Sequence, residues 1–139
     1  MSNFATAPRA IAIALFTLIT ASVQAQPVLK DGVLTDAEGR TLYTFDKDQA
    51  NKSNCAGGCL QAWPAYVAEP RADAPAIPGV SRFEQNGVQQ WAVNGRPLYY
   101  FAGDAKPGDR NGDGKGGVWH LAKPVTSSTP VTSSYGYGY

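Results

Sequence analysis

The stretch Gly39–Asp48 reads GRTLYTFDKD, and the stretch Gly95–Asp104, 56 positions later, reads GRPLYYFAGD. Six of the ten aligned positions are identical, among them a tyrosine, a phenylalanine and an aspartate in the same order. The same offset aligns two further pairs of identical residues, Gly58 with Gly114 and Trp63 with Trp119. Such self-similarity at one spacing predicts a tandem repeat of one small structural unit.

Each unit is predicted to be a β-hairpin followed by a loop. In the first unit, Val33–Thr35 and Arg40–Phe45 have the alternating apolar and polar character of short strands. In the second unit, Gln90–Val93 and Arg96–Phe101 flank the dipeptide Asn94-Gly95. Asn-Gly favours a tight hairpin turn because both of its residues tolerate positive φ.

The segments around these hairpins carry weaker signals. Ser81–Gln85 is a further strand candidate that Asn86-Gly87 would turn, and one helical turn is expected over Cys59–Trp63, ended by Pro64. The 15 glycines and 10 prolines are typical of a turn-rich β protein. The predicted fold class is therefore all-β, a small domain of two pseudo-symmetric β-hairpin repeats with a disordered C-terminal tail.

The two ends of the chain differ from the repeats in composition. Arg9 and the apolar run Ala10–Ala21 precede small residues up to Ala25, which is the three-part pattern of a secretory signal cut after Ala25. The apolar run is shorter than the ~20 residues that span a bilayer, which favours a cleaved signal over an uncleaved membrane anchor. The C-terminal segment repeats Pro-Val-Thr-Ser-Ser without any charge, which predicts disorder. The expected organisation is a signal peptide at 1–25, a β-repeat domain at 26–123 with units at about 29–68 and 85–123, and a low-complexity tail at 124–139.

The charge balance limits the class of partner. The chain has 12 basic and 11 acidic residues, and Arg9 lies before the expected cleavage point. A neutral mature chain argues against a nucleic-acid partner and against polybasic membrane binding. We therefore expect an exported protein, periplasmic or secreted, that does not span a membrane and that has an unidentified envelope partner or ligand.

Two motifs in the chain resemble those of a known family. Both aromatic stretches fit Tyr-x-(Phe/Trp/Tyr)-x-x-Asp, and Cys55–Pro64 fits Cys-x-x-x-Cys-x-x-x-Trp-Pro. In these motifs, and in an ending at Gly117–His120, the chain resembles the bacterial secreted repeat of unknown function, a lipoprotein-type family with tandem Yx(FWY)xxD motifs. The resemblance covers about Val33–Pro124 and implies an envelope protein without an assigned reaction. No cysteine follows the expected cleavage site, so a form without a lipid anchor is expected. The family motif residues are Tyr43, Phe45, Asp48, Tyr99, Phe101, Asp104, Trp63 and Trp119.

The motif residues have two interpretations each. The aromatic side chains are expected to pack in the core, because Phe45 and Phe101 share a strand face with the tyrosine two residues before. The alternative is an exposed aromatic patch for a sugar or peptide. Asp48 and Asp104 are expected to cap backbone N–H groups at turns, and the alternative is contact with a ligand or metal.

The run Asp109–Lys115, with the sequence DRNGDGK, fits the first half of a calcium-binding loop. Asp109, Asn111 and Asp113 would supply side-chain oxygens, and Lys115 its backbone carbonyl. The twelfth position, where such loops carry a bidentate glutamate, is His120. A polar glycine-rich turn is the alternative interpretation.

Cys55 and Cys59 are the only cysteines, and export to an oxidising compartment favours a disulfide between them. The glycines at 57 and 58 allow the tight curl that such a bond needs. The alternative is a periplasmic thiol-redox or metal-handling protein that uses both cysteines together with His120. No catalytic residue is assigned, so a non-enzymatic binding or structural module is favoured.

Overall fold

The computed structural model describes residues 26–70 and 77–125, and this part of the chain contains seven short strands, one α-helix and one 3-10 turn joined by turns and loops. The elements are β1 (Val28–Lys30), β2 (Val33–Thr35), β3 (Tyr43–Phe45), α1 (Gly58–Ala62), β4 (Val80–Gln85), β5 (Val88–Val93), β6 (Arg96–Pro97), the 3-10 turn Lys115–Gly117 and β7 (Trp119–Leu121). This content confirms the all-β fold class. The predicted signal peptide, 1–25, and residues 126–139 of the predicted tail lie outside the described residues.

The strands of the described residues form three small antiparallel sheets, with strand orders β1-β2, β3-β7 and β4-β5-β6. The β3-β7 sheet joins the two repeats, because β3 belongs to the first unit and β7 to the second. Its register places Tyr43 opposite Leu121 and Phe45 opposite Trp119. The two units are therefore held by shared strand pairing as well as by side-chain packing.

The first hairpin differs from the predicted one. Val33–Thr35 pairs with β1 through a turn at Asp31 and Gly32, which have positive φ of 50° and 78°. The predicted pairing with Arg40–Phe45 is present in part, as a Thr35–Thr41 bridge in which the Leu42 N–H donates to the Leu34 carbonyl and the Asp36 N–H to the Arg40 carbonyl. The predicted pairing is incomplete because residues 43–45 pair with β7 of the other unit. Local alternation of apolar and polar residues does not reveal such a long-range contact.

The second hairpin follows the prediction more closely. Asn86-Gly87 turns β4 into β5 and Asn94-Gly95 turns β5 into β6, and all four residues have positive φ. The strand β6 covers only Arg96–Pro97 of the predicted Arg96–Phe101, although the Leu98 N–H still donates to the Trp91 carbonyl over 2.9 Å. Tyr99 then pairs with Tyr43 of the first unit. The predicted helical turn is also confirmed, as α1 over Gly58–Ala62.

Most buried apolar side chains of the described residues fall into two hydrophobic clusters. The first lies between the hairpins and includes Leu34, Leu42, Trp91 and Leu98, each fully buried. The second consists of Tyr43, Cys55, Trp63, Tyr99 and Trp119 and lies where the two repeats meet. Within the described residues, no helix is long and apolar enough to cross a bilayer.

Candidate functional site

The two copies of the motif meet at their tyrosines. The Tyr43 N–H donates to the Tyr99 carbonyl over 2.8 Å, and the Tyr99 N–H donates to the Tyr43 carbonyl over 3.0 Å. This reciprocal pair has the geometry of a local twofold axis between the repeats. Residues 56 positions apart in sequence therefore occupy equivalent positions around one centre.

Each tyrosine hydroxyl crosses to the aspartate of the other unit. Tyr43 Oη donates to Asp104 Oδ2 over 2.6 Å, and Tyr99 Oη donates to Asp48 Oδ2 over 2.6 Å. Both tyrosines are fully buried. The Yx(FWY)xxD motif of one repeat is thus completed by the motif of the other.

The second oxygen of each aspartate binds the backbone of its own loop. The Asn54 N–H donates to Asp48 Oδ1 over 2.7 Å, and the Asn111 N–H donates to Asp104 Oδ1 over 2.9 Å. This is the kind of backbone contact proposed for these carboxylates from the sequence. Each aspartate links the loop after its own strand to the tyrosine of the neighbouring unit.

Burial changes the protonation of these groups. It raises the pKa of the Tyr43 and Tyr99 hydroxyls well above the ordinary tyrosine value, and the bonds to Asp104 and Asp48 raise it further. Both phenols therefore stay protonated and act as donors. Burial also raises the pKa of Asp48, against the lowering effect of its bonds from Tyr99 and Asn54.

Four aromatic rings stack along a line through this centre. Trp63 and Trp119 lie face to face with centroids 3.8 Å apart and planes 4° from parallel. Phe45 stacks on the outer face of Trp119 at 4.3 Å, and Phe101 stacks with Trp63 at 4.4 Å. Each unit supplies one tryptophan and one phenylalanine, and each phenylalanine stacks with the tryptophan of the other unit.

Both copies of the paired motif lie in regions that match a known protein family. The family model described as "secreted repeat of unknown function" matches residues 29–66 and 83–123. The chain belongs to this family. No curated protein and no solved structure matches it. In this secreted repeat, the two matched regions are the two units that exchange the Tyr–Asp bonds.

The loops that follow the two motifs differ. In the first unit of the secreted repeat, Cys55 and Cys59 form a disulfide with Cα atoms 5.3 Å apart, at the start of α1. In the second unit, Gly112 packs against the rings of Trp63 and Tyr43, where a Cβ would come within 2.8–2.9 Å of ring atoms. The Gly112 N–H donates to Tyr43 Oη over 3.2 Å. Sequence reasoning found the disulfide but did not find this glycine contact.

The predicted calcium-loop residues have protein partners. Asp109 Oδ2 accepts the N–H groups of Ala105 and Lys106, and Asp113 Oδ1 accepts the Leu121 N–H. The Asn111 N–H binds Asp104. Over residues 26–70 and 77–125, no group of three or more His, Cys, Asp or Glu side chains is arranged to hold a metal ion. Calcium binding at this loop stays a prediction.

His120 lies next to an acidic side chain that sequence reasoning did not single out. Its Nε2 is 2.7 Å from Asp46 Oδ2, and Arg96 donates to Asp46 Oδ1 over 3.0 Å. The His120 hydrogen bond, assisted by Arg96, lowers the pKa of Asp46 below its usual value. The pairing was not visible in the sequence, because 74 positions separate His120 from Asp46.

A cleft lies beside the disulfide, and nothing in the sequence predicted it. Its volume is about 380 Å³, and it lies between the first-unit loop with α1 and the β4–β5 hairpin. Its polar lining consists of Ser53, Asn54, Gln85, Asn86 and Gln90, and its apolar lining of Ala56, Leu60, Ala65 and Val88 beside Cys55. None of these lining residues is charged.

The long hairpin of the second unit shapes this cleft. Gln85, at the end of β4, accepts the Ser53 N–H over 2.8 Å and donates to the Ser53 carbonyl over 3.0 Å. These two bonds fix the hairpin tip against the first-unit loop. The sequence signal that marks the hairpin is Asn86-Gly87, but nothing local shows that its tip reaches the other unit.

Proposed function

We propose that the protein is a non-enzymatic binding module of the bacterial envelope, periplasmic or secreted after cleavage near Ala25, and that its ligand is an uncharged peptide segment. The observation that carries the proposal is the uncharged cleft between the first-unit loop and the β4–β5 hairpin. Its volume lies within the range of ordinary ligand pockets. Its disulfide and its hairpin tip hold it in one shape before a ligand arrives.

The chemistry of the lining favours a peptide over other small ligands. No lining residue is charged, which disfavours strongly charged ligands, and none is aromatic, so a sugar ring has nothing to stack on. The side-chain amide of Asn86 can pair with peptide N–H and C=O groups, whereas Asn54 Nδ2 already donates to the Lys47 carbonyl over 2.7 Å. Leu60 and Val88, 39% and 46% exposed, offer apolar contact to one peptide side chain.

Peptide selection tests this proposal. A phage-displayed library of random peptides is panned against the full-length protein, and the enriched sequences are synthesised and titrated by calorimetry. We expect uncharged peptides with one large apolar residue. Leu60→Arg should weaken their binding about tenfold or more, since it places an unpaired charge in the cleft.

The matched control is Leu29→Arg. Leu29 is 47% exposed on the short β1–β2 hairpin, away from the cleft, so this variant has the same added charge and should bind as wild type. Equal loss in both variants, enrichment of highly charged peptides, or no enrichment over an unrelated exported domain would overturn the peptide proposal.

Calcium binding at Asp109, Asn111, Asp113 and the Lys115 carbonyl is a separate structural proposal. It rests on the spacing of oxygen donors in the DRNGDGK run. Asp113→Ala should lower the melting temperature more in calcium than in chelator. An equal drop in both would reflect only the lost bond to the Leu121 N–H and would end the calcium proposal.

A further inference from the structure

The centre of the molecule places oxidisable rings in continuous contact. The indoles of Trp63 and Trp119 are stacked at 3.8 Å and nearly parallel. The Tyr43 ring meets Trp63 edge-on at 5.4 Å, and the Tyr99 ring meets Trp119 edge-on at 5.3 Å. Since tryptophan and tyrosine are the side chains most readily oxidised by one electron without a metal, these four rings form an unbroken path.

Each phenol in this path has a base in position. Oxidation of a phenol makes its proton strongly acidic, so the electron leaves easily only when a nearby group takes that proton. Asp104 Oδ2 and Asp48 Oδ2 lie 2.6 Å from the Tyr43 and Tyr99 hydroxyl oxygens. Both phenols are fully buried, so bulk water does not compete for the proton.

The third tryptophan provides an internal contrast. Trp91 is also fully buried and lies near Tyr66, with ring centroids 6.4 Å apart. Within the described residues, the Tyr66 hydroxyl and the Trp91 indole N–H have no hydrogen-bond partner. Tyr66 therefore lacks a proton acceptor of its own, and the acceptor nearest to this pair is Asp36, which is bound by the neighbouring Tyr100 over 2.9 Å.

We propose that Tyr43, Trp63, Trp119 and Tyr99, with the carboxylates of Asp104 and Asp48, form a relay that accepts one-electron oxidation. A one-electron oxidant, such as an oxygen-derived radical outside the cytoplasm, removes an electron from one stacked indole and leaves an indole radical cation. One electron then passes from Tyr99 to Trp119, the Tyr99 O–H bond breaks, and its proton moves to Asp48. The products are a neutral tryptophan, a neutral phenoxyl radical and a carboxylic acid.

The second half of the relay works in the same way through Tyr43, Trp63 and Asp104. Stacking allows the radical cation to move between the two indoles, so either phenol can reduce it. A soluble one-electron reductant, such as a thiol or a quinol, returns the electron to the phenoxyl radical, and the aspartic acid returns the proton. The raised pKa of Asp48 suits it to hold the proton meanwhile.

Pulse radiolysis with azide radicals tests the relay on the full-length protein, because this probe oxidises tryptophan first. In wild type, the indole radical should decay to a phenoxyl radical at a rate independent of protein concentration. The double variant Tyr43→Phe/Tyr99→Phe keeps all the rings but removes both hydroxyls. It should slow the intramolecular transfer about tenfold or more.

Two further measurements separate the relay from a purely structural role. Tyr66→Phe removes a buried phenol without a proton acceptor and should leave the rate unchanged. In wild type, transfer should be slower in D2O, since the proton moves with the electron, and this readout does not depend on the stability of any variant. Unchanged transfer in the double variant, an equal loss in Tyr66→Phe, or no solvent isotope effect would overturn the relay.

Discussion

The two repeats share a motif but differ in the loops that follow it. The first-unit loop carries the Cys55–Cys59 disulfide and the helix α1. The second-unit loop has a 3-10 turn rich in glycine, and Gly112 presses against the central rings. Both loops nevertheless deliver a backbone N–H to the motif aspartate. The comparison teaches that the central contacts constrain the repeat, while the means of closing each loop can change.

The hairpins differ in the same way. The strands β1 and β2 have three residues each, whereas β4 and β5 have six. The extra length carries Gln85 to Ser53 and forms one wall of the cleft. The two repeats thus share a nearly symmetric centre but differ at the surface, and the proposed binding cleft lies on the longer hairpin of the second unit.

The tryptophan pair provides the strongest test of the symmetry. Trp63→Ala and Trp119→Ala each remove a ring from the central stack and should each cost about 3–5 kcal/mol of unfolding free energy. Denaturant unfolding measures both. If the two costs differed by more than half of the larger one, the centre would not be symmetric in energy.

A glycine-to-alanine change should cost stability in the second-unit loop, at Gly112, but not in the first-unit loop. The new Cβ would meet Trp63 and Tyr43 at contact distances that require the rings to move, with a cost of about 1–3 kcal/mol. The control is Gly58→Ala in the first-unit loop, where no atom lies within 4 Å of the added Cβ. Because alanine also favours helix, this control should be neutral or slightly stabilising. A neutral Gly112→Ala would contradict the tight packing described here.

Removal of the disulfide should have the opposite effect, because it should loosen the first-unit loop and leave the second-unit loop unchanged. Replacing both Cys55 and Cys59 by serine opens a ring of five residues and should cost about 2 kcal/mol in the chain-entropy view. Amide hydrogen exchange should rise in α1 and the cleft but not in the second-unit loop. A rise spread equally over both loops would show that the disulfide supports the whole fold.

The smallest effect concerns two acids in the first unit. The pKa of Asp46 is lowered by His120 and Arg96, so its stabilisation is complete above the ordinary carboxylate pKa and is lost as the pH falls through the lowered value. The pKa of Asp48 is raised by burial, so its contribution is complete below the ordinary value and is lost as the pH rises through the raised value.

Asparagine variants of Asp46 and Asp48 test these two opposite pH dependences of stability. Between neutral pH and about pH 3, Asp46→Asn should lose less stability than wild type and Asp48→Asn should lose more. For the exposed Asp46 pair the difference should stay below about 1 kcal/mol. Urea unfolding at several pH values measures both, and a shift in the same direction for the two variants would contradict the assignment.

The fold was largely predictable where the signal is local. Asn86-Gly87 and Asn94-Gly95 marked two turns because their backbone conformations depend on their own residue types. The short helix before Pro64 was visible for the same reason. The strands β1 and β7 were not predicted. The strand β7 pairs with β3 of the other unit, a long-range contact that local alternation does not reveal.

The contacts at the centre were predictable in part. The constant spacing of 56 residues showed that Tyr43 and Tyr99 are equivalent. The residue types predicted that the aromatic rings would be buried and that the motif aspartates would bind backbone N–H groups. Nothing in either motif indicated that each hydroxyl would bind the aspartate of the other unit. The cleft was hidden for a similar reason, since Ser53 and Gln85 are 32 positions apart.

The sequence by itself determined the repeat, its family, its turns and the cysteine pair, because each depends on residue identity at fixed short spacing. Only the tertiary structure decided which partner each motif uses, where the cleft lies and how the rings stack. Those features require two distant segments to meet, and a tyrosine hydroxyl satisfies its hydrogen bond equally well within one unit or across two. Both tyrosines are buried where the repeats meet, and there each hydroxyl lies within hydrogen-bond distance of the aspartate of the other unit.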